Sequence, residues 1–389
     1  MRLAPGPEEE AFRTQLRAWL AESIPSLPDP PPADDWPARR RYDTAWQRLL
    51  FDAGYAGISW PADYGGRGAS PSEELIFLEE IERAGAPYVG CNFVGTLHAG
   101  PTLIAAGTPE QQARHLPPIL SGDHVWCQGF SEPESGSDLA SLRTRAVREG
   151  DYYLITGQKI WTSHAHVADF CELLVRTDPE APKHKGISWL IMPMNLPGIE
   201  VRPLRTLLGV SEFNEMFLDE VRVPVSNLVG AENGGWATAM VTFSFERGTA
   251  FVGELLKSQL MVRELSDLAK QLGQWDNEDV RRQLAELAAD FDGLWALTRR
   301  NVTRAERGLD GSVGGSIFKL EYHDARVRMG DLAMELLGQA GLALGPSGPG
   351  TTDHVSEGLY ALSLSIAAGT EQIQRNIIGE RGLGLPKER

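Results

Sequence analysis

The chain has 389 residues, 42% of them hydrophobic, enough for a large core and, at about 150 residues per domain, for two or three domains. Its formal net charge of −16 argues against the broad basic face that a nucleic acid or an anionic membrane surface demands, so neither is expected as a partner. Three widely spaced cysteines, Cys91, Cys127 and Cys171, make no C-x-x-C pair, and the N-terminus "MRLAPGPEEE" is acidic where a signal peptide is basic and then apolar, so a reduced, cytoplasmic protein is expected.

In "EEEAFRTQLRAWLAESI" the residues Phe12, Leu16, Trp19, Leu20 and Ile24 recur at helical spacing, and "PSLPDPPPADDWP" then breaks the pattern with proline. Further helices are predicted around Tyr42 to Ala53, Ser72 to Ala84 and Pro109 to Leu120, the last two opened by Pro71 and Thr108. Residues 1–123 read as a helical domain.

From Val125 the texture changes. "RTRAVREGDYYLITGQKIW" holds two strand-like runs split by Glu149-Gly150-Asp151, a hairpin signal, and "ELLVRT", "GISWLIMPM", "GIEVRPL" and "EMFLDEVRVP" are short and rich in branched residues. The run "ISWLIMPM" falls far short of the roughly 18 apolar residues of a membrane span. Residues 124–231 are thus predicted as a β-barrel or sandwich. After "AENGGW" the helical period returns through "LLKSQLMVRELSDLAKQL", "DVRRQLAELAADFDGLWALTRRNVTRAERG", "SIFKLEYHDARVRMGDLAMELLG" and a C-terminal helix ending near Gly379, and these lengths suit a four-helix bundle over 232–389. The fold class is α+β: helices, a β domain, a bundle.

The densest polar cluster is "WCQGFSEPESGSDLASL", Trp126 to Leu142, where Ser131, Glu132, Ser135, Gly136, Ser137 and Asp138 make a turn whose N–H groups and hydroxyls suit a phosphate or a polar ring edge. The plainer reading is a Ser/Gly loop with Asp138 capping a short helix. Nearby, in "GQKIWTSHAH", Trp161 stands between a strand and small hydroxyl residues, as a stacking wall would. No G-x-G-x-x-G and no G-x-x-x-x-G-K-[ST] is present, which argues against a Rossmann enzyme or a P-loop NTPase. His164 and His166 lack a third ligand at suitable spacing, so no metal is assigned.

"FSEPESGSD", "GQKIWTS" and the terminal "AAGTEQIQRNIIGERGLGLP", in this order and in this layout, resemble the acyl-CoA dehydrogenase flavoproteins over essentially the whole chain. The chain is most similar to the bacterial members with a Phe-Glu-Arg-Gly helix, which include enzymes of sterol side-chain thioesters that assemble from two different subunits. The resemblance implies the three-domain fold with a middle β-barrel, FAD as cofactor, and removal of two hydrogens across the α and β carbons of an acyl-CoA thioester. A carboxylate takes the α proton, the β hydrogen leaves as hydride to the flavin, and the electrons pass to an electron-transfer flavoprotein.

Residue by residue, the resemblance puts Phe130 and Ser131 at the flavin's polar edge and Gly136 in the same turn. It places Ser137 near both pyrophosphate and substrate, and Trp161 and Ser163 over the flavin. Thr370 and Gln372 match positions that contact the adenosine half of FAD, and Gln339 stands in an altered version of a second FAD-binding motif. Many members carry the catalytic glutamate immediately before the Gly-Thr, but that position here is Ala368. Its backbone N–H remains available to polarise the thioester carbonyl.

In another branch the base comes from the first long helix of the C-terminal domain, and the matching residue is Glu246. On a helix, neighbours in sequence do not face one another, so Arg247 is a poor partner for it; Thr242, Phe243, Thr249, Ala250 and Gly253 share its face. Such small or apolar surroundings raise a carboxylate's pKa toward a value useful to a base. Arg247 is expected to be structural or to tune the substrate site, and Glu371 to face away. The bundle motifs for FAD binding across a subunit boundary are missing or altered, so the chain is expected as a homo-oligomer or as a heterotetramer with a paralogous subunit. Two alternatives stand beside the dehydrogenase: a non-catalytic or half-site subunit of a heteromeric enzyme, and a flavin enzyme of the same fold with altered chemistry.

Overall fold

The structure, a computed structural model, describes residues 6–87, 90–246, 251–309, 313–345 and 352–387, with the backbone alone at 244–246. In chain order the helices α1 (Pro7–Ser23), α2 (Trp36–Asp52), α3 (Pro71–Arg83), α4 (Gly100–Ala106) and α5 (Pro109–Ser121) precede eight strands. These are β1 (Trp126–Gly129), β2 (Arg145–Glu149), β3 (Tyr152–Lys159), β4 (Phe170–Arg176), β5 (Ile187–Pro193), β6 (Ile199–Leu204), β7 (Phe213–Pro224) and β8 (Leu228–Val229). Six helices follow: α6 (Gly235–Glu246), α7 (Val252–Gln271), α8 (Glu278–Glu306), α9 (Gly314–Leu337), α10 (His354–Ser363) and α11 (Glu371–Ile377). The expected order of helices, sheet and helices is therefore present. None of the described helices is long and apolar enough to cross a membrane.

Local chemistry explains where the N-terminal helices begin. Ser70 accepts from the Glu73 N–H while the Glu73 carboxylate accepts from the Ser70 N–H, and Thr108 and Gln111 repeat this reciprocal cap on α5; Pro71 and Pro109 sit where a missing N–H costs nothing. Each such cap contributes about 1 kcal/mol.

The chain divides into two compact units, one of residues 19–69 and 86–246, the other of residues 1–18, 70–85 and 247–389. The first unit holds the sheet. Its strands hydrogen-bond in one open path, β6-β7-β3-β2-β4-β5-β8, with β6 and β8 at its ends and β1 parallel to β4. The hairpin expected at Gly150 is the antiparallel β2–β3 pair, with Gly150 at φ +60°. Along β7 the buried residues alternate, Asn214, Met216 and Leu218, whereas β5 is buried at every position from Ile187 to Met192, because α6 covers its other face. The start of α6 lies so close to β5 that a Cβ at Gly235 would stand 2.6 Å from the Ser188 Cα. Tyr153, Ile155, Leu173, Leu190, Met216 and Val221 fill the sheet's core.

In the second unit α7, α8, α9 and α10 pack around Leu265, Leu287, Phe291, Tyr322, Met329 and Leu332. Arg326 lies wholly inside, donating to the Glu357 carboxylate at 2.7 Å and to the Tyr322 hydroxyl at 3.0 Å. The expected C-terminal helix ending near Gly379 is two helices, α10 and α11, parted by a turn from Leu364 to Thr370. Ala368 and Gly369, at φ +52° and +90°, break the helical path there, where the apolar run before them favours continuing it.

Candidate active site

In the sheet-bearing unit the two motif loops lie side by side. The Ile160 N–H donates to the Ser131 carbonyl at 3.0 Å, and further along the same segment the Thr162 and His164 N–H groups donate to the carbonyls of Asn214 and Glu212 at 3.1 and 2.8 Å. Among the described residues no acceptor takes the N–H of Ser131, Trp161 or Ser163. Trp161 is 58% exposed and held at φ +60°, in the left-handed region that a tryptophan rarely occupies. An exposed aromatic face beside free amide donors suits a flat, polar-edged ring. The donor set fits a flavin on this observation.

A buried ion pair holds this arrangement from behind. Lys159, wholly buried, donates to the Phe130 carbonyl at 3.0 Å and to the Glu132 carboxylate at 2.9 Å. That carboxylate also accepts from the N–H groups of Arg143 and Thr144 at 2.7 and 2.8 Å. Burial pushes the Glu132 carboxyl up, but Lys159 and these donors outweigh it and hold it below the usual carboxylate range. The turn beyond it carries Gly136 and Ser137, both exposed. Asp138 stands before a short 3₁₀ turn, Leu139–Ser141, without capping it through its side chain; its carboxylate instead accepts from Lys183 Nζ at 2.8 Å.

His164 and His166 pack their rings against Trp36, at 5.0 and 5.2 Å. Burial, helped by His166 and Arg39, pushes His164 down to about 4. Both belong to an aromatic cluster with Trp36 that Phe93 joins through His164.

Helix α6 reaches the same loops. Phe243 meets Phe130 edge to face, with ring centroids 5.8 Å apart, and the buried hydroxyls of Thr242 and Thr102 lie at 2.8 Å, pinning α6 to α4. Position 246 ends α6, one turn beyond Phe243. The Glu246 side chain and the whole of Arg247 lie outside the described residues.

In the other unit Ala368, Thr370 and Gln372 lie together at the start of α11, where the Thr370 hydroxyl caps the helix by accepting from the Ile373 N–H at 3.4 Å, and Gln372 is exposed. Gln339 stands in a separate, exposed 3₁₀ turn after α9. Glu371 accepts from Arg375 Nε at 3.0 Å, the ordinary pairing of residues four apart on a helix.

Sequence reasoning missed the residues that support these loops. Lys159 shares the inward parity of Tyr153 and Ile155 on β3, which marks it as a buried cation in need of a carboxylate. Gln374, buried between the exposed Gln372 and Arg375, donates to the carbonyls of Ala368 and Gly369 at 3.0 and 3.4 Å. Lys319 of α9 is also buried, donates to the Leu364 carbonyl, and is pushed down to about 8 by burial.

Comparison with known proteins agrees along the whole chain. Models of the acyl-CoA dehydrogenase N-terminal, middle and C-terminal domains match residues 6–123, 127–221 and 233–383. Acyl-CoA dehydrogenase IpdE1 of Mycobacterium tuberculosis is 38% identical, over 97% of this chain and 98% of its own. Among solved structures, the Tcur3481-Tcur3483 steroid ACAD superposes with a TM-score of 0.83 at 33% identity, and the ChsE4-ChsE5 complex from Mycobacterium tuberculosis with 0.81 at 32%; each match covers 100% of both chains.

Proposed function

The chain belongs to the acyl-CoA dehydrogenase family, and from that premise we propose that it oxidises an acyl-CoA thioester to the 2-enoyl-CoA, with Glu246 as the base that takes the α proton. The observation that carries this reading is the contact of Phe243 with Phe130. It brings the last turn of α6 beside the loop expected to meet the cofactor. With alanine at position 368, the turn before α11 offers a backbone N–H and no base, so the proton acceptor has to come from elsewhere.

FAD, once bound, supplies the acceptor for the β hydrogen and its electron pair, and an electron-transfer flavoprotein then reoxidises it. Everything else falls to this chain. The N–H groups of Ser131, Trp161 and Ser163 hold the ring's polar edge, the indole of Trp161 excludes water from its face, and the turn at Gly136 and Ser137 receives the pyrophosphate. Gln339, Thr370 and Gln372 serve the adenosine end, within a homo-oligomer or together with a paralogous subunit. Ser137, Arg247 and the Ala368 N–H attend the thioester, the last by donating to its carbonyl oxygen as negative charge develops there. The steroid and two-component names of the similar structures support a steroid-derived acyl group and a two-chain assembly.

The test is anaerobic mixing of the FAD-loaded protein with a panel of straight-chain, branched and steroid side-chain acyl-CoA thioesters. One class is expected to bleach the flavin absorption. A protein that takes up no flavin from excess FAD, or whose flavin no thioester bleaches, contradicts the reading and favours a non-catalytic subunit.

A further inference from the structure

The turn from Leu364 to Thr370 is gripped at both ends by buried side chains. At its start, Lys319 Nζ donates to the Leu364 carbonyl; at its end, Gln374 Nε2 donates to the carbonyls of Ala368 and Gly369 at 3.0 and 3.4 Å. Lys319 and Gln374 are each only 5% exposed. Between the grips the N–H groups of Ile366 and Ala367 both donate to the Ser363 carbonyl at 3.0 Å, which closes the turn, while no acceptor among the described residues takes the Ala368 N–H.

Stability alone does not explain this construction. A buried ammonium loses its hydration, and Lys319 recovers one backbone carbonyl in return, among the described residues. Ala368 is held at φ +52°, a strained conformation for a non-glycine residue, which persists only where the surroundings over-determine it. Gly369 is required by the second grip, since a Cβ there would stand 2.7 Å from Gln374 Nε2. Each feature fixes where one peptide group points.

We propose that Lys319 and Gln374 are positioning residues that aim the Ala368 N–H at the thioester carbonyl. The inference rests on the dehydrogenase reading and deepens it by naming what holds the polarising donor. A donor displaced by a few tenths of an ångström forfeits much of its effect on a developing oxyanion, because such sites work by pre-organisation. Neither side chain touches substrate in this scheme.

The test reads carbonyl polarisation directly. FAD-loaded wild type, Lys319→Met and Gln374→Glu are mixed with crotonyl-CoA carrying 13C at its carbonyl, which oxidised flavin cannot oxidise further, and the carbonyl stretch is followed by infrared difference spectroscopy. In wild type the band is expected to move to lower frequency on binding. Each variant is expected to lose at least about half of that shift and about tenfold in kcat, with KM moved far less. If Lys319→Met fails to fold, Gln374→Glu is held to the same threshold. A full shift in the folded variants overturns the positioning role, whatever happens to kcat. A wild-type band that does not move although a thioester bleaches the flavin overturns the aimed donor, and one that does not move with no thioester bleaching the flavin counts instead against the dehydrogenase reading itself.

Discussion

The edge of one phenyl ring meets the face of another where Phe243 of α6 packs on Phe130, with centroids 5.8 Å apart and ring planes at 88°. This contact joins the helix that ends at Glu246 to the loop that continues into Ser131. An edge-to-face pair of this kind is worth about 1 kcal/mol beyond the area it buries. Phe130→Leu and Phe243→Leu are therefore expected to be non-additive, with a coupling of about 1 kcal/mol in a double-mutant cycle of denaturant unfolding. Additive effects would show that the rings touch without holding the helix to the loop.

Lys159 and Glu132 form a buried ion pair behind the loop proposed to meet the cofactor. Removing the cation alone strands a carboxylate in the interior, so Lys159→Met is expected to cost about 3–5 kcal/mol of folding stability, measured by denaturant titration. Adding Glu132→Gln removes the stranded charge and should return a substantial part of that loss. The Phe130 carbonyl still lacks its donor in the double variant, so FAD affinity should remain weakened even as stability recovers.

His115 meets the stacked rings of Trp126 and Phe170 edge-on, at 5.3 and 5.1 Å, and burial, with smaller contributions from Arg114 and His124, pushes it down to about 4. The unfolded chain takes up this proton below about pH 6.5, while the folded chain does not until about pH 4. In that window the unfolded state binds more protons, so stability falls as pH falls, by up to about 1.4 kcal/mol per pH unit from this group. His115→Phe, which keeps an aromatic ring in place, should flatten the slope between pH 6 and 4. An unchanged slope would assign the acid lability to other groups.

Neighbouring residues in the turn before α11 should respond in opposite directions. Ala368→Gly relieves a left-handed alanine and is expected to leave stability unchanged or raise it by up to about 1 kcal/mol. Gly369→Ala places a Cβ against Gln374 at φ +90° and is expected to destabilise by more than that. Thermal unfolding of the two variants side by side checks the sign.

Much of this fold was legible because its signals are local. The reciprocal caps at Ser70 and Thr108, the glycine turn at 150 and the return of helical period after Trp236 are read within a few residues of themselves. Phe130, Ser131, Trp161 and Ser163, proposed to meet the flavin, stand in motifs that the sequence shows, and the structure sets their loops side by side. What holds them was not. Lys159 and Glu132 are 27 residues apart, and Lys319 meets a carbonyl 45 residues away, so only the tertiary fold reveals either partner. The Leu364–Thr370 turn escaped although Gly369 and the capping Thr370 mark it locally, because the apolar run before them reads straight through as helix.

Glu246 is proposed to take the α proton. Glu246→Gln keeps the size and removes the base, and Glu371→Gln serves as a control because that carboxylate is occupied by Arg375. Each FAD-loaded protein is mixed anaerobically with the thioester that bleaches wild type, and flavin reduction is timed by stopped flow. Loss of at least about a hundredfold in the reduction rate is expected for Glu246→Gln, with near-wild-type reduction for Glu371→Gln. Unchanged reduction in Glu246→Gln would contradict the assignment and place the base elsewhere.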